Sequence, residues 1–312
     1  MLPDLPSPPL VGIVVLNFHQ PTATIVCISS LLAREPATTR ILWVENDAGR
    51  SWAATSEALQ SAPFPWQELD PSNLELPAAG VVGVLRNAGN LGYGAGNNTG
   101  LRRLHRAGIP YAWVLNNDTE LIEGSSADLV AAAQALPDAG SWGTTILEGA
   151  AAYTGGALSR KDFASRPVAG AETLEADPDS YVSGCSLFLP LALAAEAGFI
   201  PEDYFLYYED AAFGLELRRR GHPPGAVPSV SIRHAGSLSG GQRSNLVEYY
   251  NRRNRWALIQ RYYPEAMAGQ RLRRFHLWQK WILRGRFDRI RIELAAYADF
   301  QAARMGRTIR RF

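Results

Sequence analysis

The run Tyr111-Ala112-Trp113-Val114-Leu115-Asn116-Asn117-Asp118 is apolar through Leu115 and then stops on two amides and an acid. Such a run reads as a buried strand that delivers its acid to the strand end. At the carboxyl end of a parallel strand, that position lies on the rim of an α/β sheet, where ligands bind. A second aromatic run, Phe205-Leu206-Tyr207-Tyr208, ends the same way on Glu209 and Asp210.

The sequence on either side has the matching rhythm. Residues 11–18 read as a buried strand ending at Asn17, and a helix follows from about Pro21, a residue suited to a first turn, to Arg34. Residues 41–46 form a second strand, 51–61 a helix, 63–77 a proline-broken loop and 81–86 a third strand. Leu101 to Ala107 falls in the next helix, and 111–115 is the fourth strand. Strand and helix alternate, which predicts an α/β chain with a doubly wound, mostly parallel sheet. Right-handed crossovers would gather the polar strand ends on one edge. Beyond Leu147, short strands at 153–158 and 181–190 predict a smaller mixed sheet. Helices are expected over 209–220, stopped by Gly221, and over 245–263, stopped by Pro264. Further on, Leu277, Trp278, Trp281 and Ile282, then Phe287, Ile290, Leu294 and Tyr297, recur at helical steps. They predict C-terminal amphipathic helices with an arginine-rich polar face. The expected organisation is one large domain over 10–264 and a basic helical segment over 265–312.

The formal net charge of +1 over 312 residues supplies no global field toward nucleic acid. Charge is uneven, though: from Arg271 onward only Asp288, Glu293 and Asp299 oppose a long series of arginines. That segment either packs on the core or lies on an anionic membrane surface. Cys27 and Cys185 match no metal-ligand spacing and fit a reduced, cytoplasmic protein. The apolar run 10–16 is too short to span a bilayer or act as a secretion signal.

Several motifs carry chemistry, each beside a plainer reading. The glycine-rich run 87–100 fails as a dinucleotide fingerprint, because Thr99 stands where the third glycine is needed. It is either a sharp turn or a loop whose glycines and amides contact a ligand. Asp118 is a turn or cap residue, or a hard oxygen for Mg²⁺ or Mn²⁺ on a diphosphate. Glu209 and Asp210 are first-turn acids favoured by a helix dipole, or a base whose pKa the aromatic approach has lifted. His234, after a strand at 227–232, is a structural histidine or a metal or phosphate ligand. The run 249–256 joins arginines to aromatics as a packed helix face, or offers a guanidinium to a phosphate. One carboxylate to hold a metal and one to take a proton suit an inverting sugar transfer from a nucleotide-sugar.

Taken in order, residues 13–18, Val44-Glu45-Asn46, 87–100, 115–119, Ser183-Gly184-Cys185, Glu209-Asp210 and His234 resemble a family 2 glycosyltransferase of the rhamnosyltransferase-like kind. The resemblance covers about residues 10–260. It implies a GT-A fold, a nucleotide-diphosphate sugar donor (dTDP- or UDP-linked), Mg²⁺ or Mn²⁺, and inversion at the anomeric carbon. By position it implies that Asp210, with Glu209 beside it, is the catalytic base. Asp118 and His234 would hold the metal. Asn17 and Glu45 would lie around base and ribose, and Asn90, Gly92 and Asn97 in the donor loop, with Asn117 and Arg253 also on the donor side. It points to dTDP-L-rhamnose as donor and to a glycan or lipid-linked glycan acceptor in polysaccharide or cell-envelope synthesis. Glu45 departs from the Asp usual at its position, Pro201-Glu202 from Asp-Glu, and Ala212 from a frequent acid. The rivals are a catalytically inactive nucleotide-binding scaffold, which would lack Asp210 or Asp118, and an NAD-dependent oxidoreductase, disfavoured by the missing fingerprint.

Overall fold

The structure, a computed structural model, describes residues 11–236, 244–308 and 310. Four parallel strands form its first half: β1 (Val11–Asn17), β2 (Arg40–Asn46), a short β3 (Trp66–Glu68) and β4 (Val82–Asn87). Helices α1 (Pro21–Leu32), α2 (Ala48–Gln60) and α3 (Tyr93–Arg106) connect them to each other and to β5 (Tyr111–Asn116). Then come β6 (Thr119–Glu123), α4 (Ser126–Ala135), β7 (Ser141–Glu148), β8 (Ala151–Tyr153), β9 (Gly155–Leu158) and β10 (Ser165–Val168). Next are α5 (Ala171–Ala176), β11 (Ser180–Val182), β12 (Ser186–Pro190), α6 (Leu191–Glu196), α7 (Glu209–Arg219) and β13 (Pro224–His234). Three helices close the described chain: α8 (Asn245–Tyr262), α9 (Met267–Leu283) and α10 (Phe287–Gln301).

The large sheet runs β3-β4-β2-β1-β5-β12-β7-β13-β6, with β8 paired to β7, and the small antiparallel sheet runs β10-β9-β11. From β3 to β5 every pairing is parallel, so the carboxyl ends of β1, β2, β4 and β5 share one edge. Each of those four strands ends in asparagine: Asn17, Asn46, Asn87 and Asn116. An amide can both donate and accept, so it ties a strand end to the loop beyond it. Asn46, for example, donates to Asn90 and to the Gly92 carbonyl and accepts from the Leu91 N–H.

The strand period of two sorts the core into two layers. Ile13, Val15, Trp43 and Trp113 face α1 through Cys27, Ile28 and Leu31. Val14, Leu42, Val44 and Val114 face α3 through Leu101 and Leu104. The indole N–H of Trp113 is satisfied by Ser186 at 2.9 Å, so its burial leaves no orphan donor. Both thiols are free and buried, and burial pushes Cys27 up to about 12.

The aromatic run 205–208, expected as a strand ending on acids, is instead irregular backbone leading into α7, and two other local expectations change. The glycine-rich run is the start of α3 rather than an open loop. Glycine is needed there for close approach: a Cβ on Gly94 would stand 2.7 Å from the Pro201 carbonyl, and one on Gly100 would stand 2.8 Å from Val14. The expected strands at 153–158 and 181–190 are each broken in two, the second at Ser183-Gly184-Cys185. The polar loop expected after His234 passes, from residue 237, outside the described residues, as does Arg311.

The basic tail divides. α10 packs on α8, burying Ile292, Ala296 and Phe300, of which Ile292 and Phe300 contribute about 1.5–3 kcal/mol each. Polar contacts reinforce the contact: Tyr249 donates to Asp299 at 2.7 Å, and Arg252 and Trp256 reach Glu293 at 2.7 and 3.1 Å. α9 contains no buried residue at all. Among the described residues no helix is long and apolar enough to cross a membrane.

Candidate active site

Asp118 stands just past β5, and β13 brings His234 beside it by pairing antiparallel with β6. His234 Nε2 lies 3.3 Å from Asp118 Oδ1, and its Nδ1 lies 3.1 Å from Glu148 Oε2. Glu148 in turn accepts from the Tyr153 hydroxyl at 2.8 Å. Burial acts to depress the His234 pKa, but the hydrogen bond and charge of Asp118, then those of Glu148, outweigh it and raise the group. Sequence reading singled out Asp118 and His234 and missed Glu148 and Tyr153. No local signal marks Glu148, because only the β7–β13 pairing carries it to the histidine.

Asp210 and Glu209 open α7 as expected, and their environments differ. Asp210 accepts from the Gly184 N–H at 3.1 Å and the Ala211 N–H at 2.8 Å, and it lines a cavity of about 440 Å³ with Tyr181, Ser183 and Glu148. The Gly184 peptide is held from its other side by the Tyr93 hydroxyl, which explains why the second strand breaks there. Burial raises the Asp210 pKa, and the two backbone N–H donors pull it partly back. Glu209 is buried, and its Oε2 has no hydrogen-bond partner among the described residues. Burial first, and then the charge of Asp210, raises its pKa, so the charged form of Glu209 is disfavoured there.

The approach to these acids is strained. Phe205, Tyr207 and Tyr208 have φ of +65°, +69° and +72°, a left-handed region that costs non-glycine residues of order 1–3 kcal/mol each. Such a backbone persists only where its surroundings hold it, and α8 does so. Asn254 Nδ2 lies 2.8 Å from the carbonyls of Tyr204, Leu206 and Tyr207. Arg253 donates to the Tyr204 carbonyl at 2.9 Å and to that of Gly306 at 2.7 Å. Arg253 is therefore corrected from a donor-side contact to a clamp: it is 1% exposed, and its guanidinium is used on the chain's own carbonyls. Asn254 was missed altogether, because an amide inside a helix shows nothing in sequence of the carbonyls it meets. Asn254→Ala would remove its hydrogen bonds to those carbonyls and should cost about 2 kcal/mol of stability. Thermal unfolding would read the loss, and an unchanged melting temperature would show the clamp to be idle.

The other donor-side expectations are also moved inward. Glu45 is fully buried and accepts from Asn17 at 2.6 Å, from Trp43 at 3.2 Å and from Ser51 at 2.5 Å. Asn17 accepts from Thr24 and Asn117 at 2.9 and 3.2 Å. Gly92 has φ +88°, and a Cβ there would meet the Phe205 carbonyl at 2.4 Å. Asn97 is fully buried with its Oδ1 unpartnered among the described residues, and Asn90 ties Asn46 to Gly92. Apart from the unpartnered Asn97 Oδ1, the polar side-chain atoms of these residues are engaged inside the chain, so they shape the edge from beneath. What the edge itself presents is Phe18, 46% exposed, and His19, whose Nε2 lies 3.2 Å from Asp47 Oδ2. Asp47 adopts φ +107°, a strained backbone at the end of β2. No sequence signal raised either residue.

Asp118 and His234 suit a divalent cation. A hard carboxylate oxygen and an imidazole nitrogen stand side by side, and the other imidazole nitrogen faces a carboxylate, the arrangement that orients metal-binding histidines. Among the described residues no group of three or more histidine, cysteine, aspartate or glutamate side chains is placed to hold a metal ion.

No family model and no curated protein matches the chain. Solved structures do. One is GalNAc-T7 with UDP, GalNAc and Mn²⁺, at 14% identity and TM-score 0.56, over 82% of this chain and 48% of that one. The chain thus spans about half the length of the GalNAc-T7 chain it resembles. S. aureus TarS 1–349 with UDP-GlcNAc matches at 12% identity and TM-score 0.54, over 93% and 80% of the two chains. The mannosyltransferase PcManGT of Pyrobaculum calidifontis, with GDP-Man and Mn²⁺, matches at 14% identity and TM-score 0.52, over 96% and 76%. Together with the parallel half-sheet, the antiparallel second half and the small sheet beside it, these likenesses show that the chain has a GT-A-type fold.

Proposed function

We propose that the protein is an inverting, metal-dependent glycosyltransferase that moves a sugar from a nucleotide-diphosphate donor to a hydroxyl of a glycan or lipid-linked glycan. The observation that carries this reading is the cavity at Asp210. Its wall reaches Glu148, which orients His234 against Asp118, so a proton acceptor and a candidate cation site border one space.

In this reading Asp210 takes the proton of the acceptor hydroxyl. The freed oxygen attacks the anomeric carbon from the side opposite the diphosphate, a carbon–oxygen bond forms, and the bond to the diphosphate oxygen breaks with its electron pair. Asp118 and His234 would hold Mg²⁺ or Mn²⁺, which when bound supplies positive charge for the leaving diphosphate. The Gly184 and Ala211 N–H groups fix the Asp210 carboxylate, and Glu209, its charged form disfavoured, lies behind it. Phe18, His19 and Asp47 present the ring surface and polar groups that a nucleobase and ribose need, while Asn17, Glu45, Asn90, Gly92 and Asn97 hold that edge in shape.

The family resemblance supports dTDP-L-rhamnose as first donor, with UDP-sugars next, and a place in cell-envelope polysaccharide synthesis on the cytoplasmic side. The test is a screen of dTDP-, UDP- and GDP-sugars for diphosphate release with Mn²⁺ present. Release confined to dTDP-rhamnose is the expected result. Release from a UDP-sugar alone would keep the transferase and replace the donor. Binding without turnover of any donor would favour the inactive scaffold.

A further inference from the structure

A larger cavity, about 650 Å³, lies outside the site described so far, between α8, α9 and the start of α10. Arg252, Arg255, Arg273, Arg286 and Arg289 line it, and three acids, Asp162, Glu248 and Asp288, oppose them, leaving a net charge of +2. The acids are not evenly shared. Glu248 pairs with Arg252 and Arg289, Asp288 with Arg286, and Asp162 reaches Arg273 at 3.4 Å. Arg255 faces no carboxylate among the described residues. Its Nε donates to the Tyr208 hydroxyl at 2.9 Å, its Nη1 reaches the Asp162 carbonyl at 3.4 Å, and its Nη2 has no partner there. An open guanidinium fork in a positive cavity is suited to a phosphate.

Position ties this cavity to the chemistry. The β9–β10 hairpin is a shared wall: Asp162 in its turn lines the arginine cavity, while Ser165 and Pro167 of β10 line the one that holds Asp210. Tyr208, which receives Arg255, immediately precedes Glu209 and Asp210 and donates to the Phe163 carbonyl in that turn. The outer wall is apolar, with Leu277 and Trp281 from α9. The same helix turns Leu272, Phe275 and Leu283 outward, Leu283 being 86% exposed.

We propose that the arginine cavity is an acceptor subsite that takes the phosphate or diphosphate of an amphipathic acceptor, whose hydroxyl end then lies toward Asp210. Calling the ligand an acceptor rests on the glycosyltransferase reading; the anion site itself does not. The phosphate has two sources, a lipid carrier that brings the enzyme to a membrane and a soluble phosphorylated glycan.

The experiment titrates the full chain calorimetrically with inorganic pyrophosphate in EDTA, which takes the metal-dependent donor site out of play. One pyrophosphate should bind, weakened about tenfold or more in Arg255→Ala/Arg273→Ala. It should be weakened in the single Arg273→Ala, whose side chain reaches Asp162 but neither Tyr208 nor Asp210, and unchanged in Asp118→Ala. Binding that ignores both arginine variants, or no binding, overturns the subsite. The second arm floats the protein with phosphatidylcholine vesicles containing phosphatidic acid. Salt-sensitive flotation that pyrophosphate displaces, absent with phosphatidylcholine alone and lost in the double variant, assigns the lipid source. Pyrophosphate binding without flotation overturns the lipid source and assigns the soluble one. Donor release to water, measured on the same proteins without acceptor, reads the transferase reading separately, so its failure leaves the titration result intact.

Discussion

Replacing Asp210 by Asn is expected to give a folded protein that still binds nucleotide but transfers sugar about a hundredfold or more slowly, the scale of a lost general base. Asn keeps the shape and its one amide oxygen can still accept the Gly184 N–H, while the Ala211 N–H loses the second carboxylate oxygen that accepts it. The loop and cavity should survive. Burial raises the Asp210 pKa in the fold, so its charged form is disfavoured there. The sign follows: the carboxylate costs folding free energy as pH rises through the raised value, and Asn has no such cost. Relative to the native protein, the variant should therefore gain stability between acidic and neutral pH. Native kcat/KM should fall on the acid side of that same raised pKa, because the protonated carboxyl cannot take a proton. Glu209→Gln is the comparison, since a buried carboxyl whose charged form is disfavoured loses little on becoming an amide. Near-normal turnover in folded Asp210→Asn, or a larger loss in Glu209→Gln, would move the base assignment off Asp210.

Chelation is the second large effect expected. EDTA should lower transfer by about a hundredfold or more, since charge supplied to a leaving group is worth several kcal/mol, and Mn²⁺ or Mg²⁺ should restore it. Asp118→Ala should weaken donor binding measured with Mn²⁺ while leaving metal-free nucleotide binding nearly unchanged. His234→Ala should act in the same direction. Glu148→Gln should cost about tenfold or more in metal affinity, because the histidine it orients would lose its partner. Full transfer in EDTA would remove the metal from Asp118 and leave His234 to be tested as a direct partner of the phosphates.

The tail illustrates how sequence and structure divide the work. Helical periodicity and arginine content announced α9 and α10, yet both fates of the segment, packing and surface contact, fitted that pattern equally. The structure shows α10 packed on α8, where Asp299 and Glu293 find buried partners, and leaves α9 without a buried residue, its Arg274 reaching Glu293 and the Tyr297 ring. Truncation at Arg271 would strip α10 from Tyr249 and Trp256, so point substitutions in the arginine cavity are the cleaner test of surface binding.

The sequence alone determined the parallel half-sheet, the edge on which its polar residues gather, and the acids Asp118, Glu209 and Asp210. For the half-sheet and Asp118 these are local properties, because a buried strand must be apolar along its length and can turn polar only where it ends, whereas Glu209 and Asp210 open a helix after an irregular loop. It also brought His234 forward as a candidate ligand. Only the tertiary structure decided what stands beside what. Glu148 meets His234 because two distant strands pair in parallel, and Gly184 meets Asp210 because a strand breaks where Tyr93 reaches its peptide. Asn254 and Arg253 hold the strained loop because α8 crosses it, and Glu45 points inward because Trp43, Asn17 and Ser51 satisfy it there. Apart from the near neighbours of Glu45, these contacts join residues 26 to 91 positions apart, and no periodicity in the chain records them.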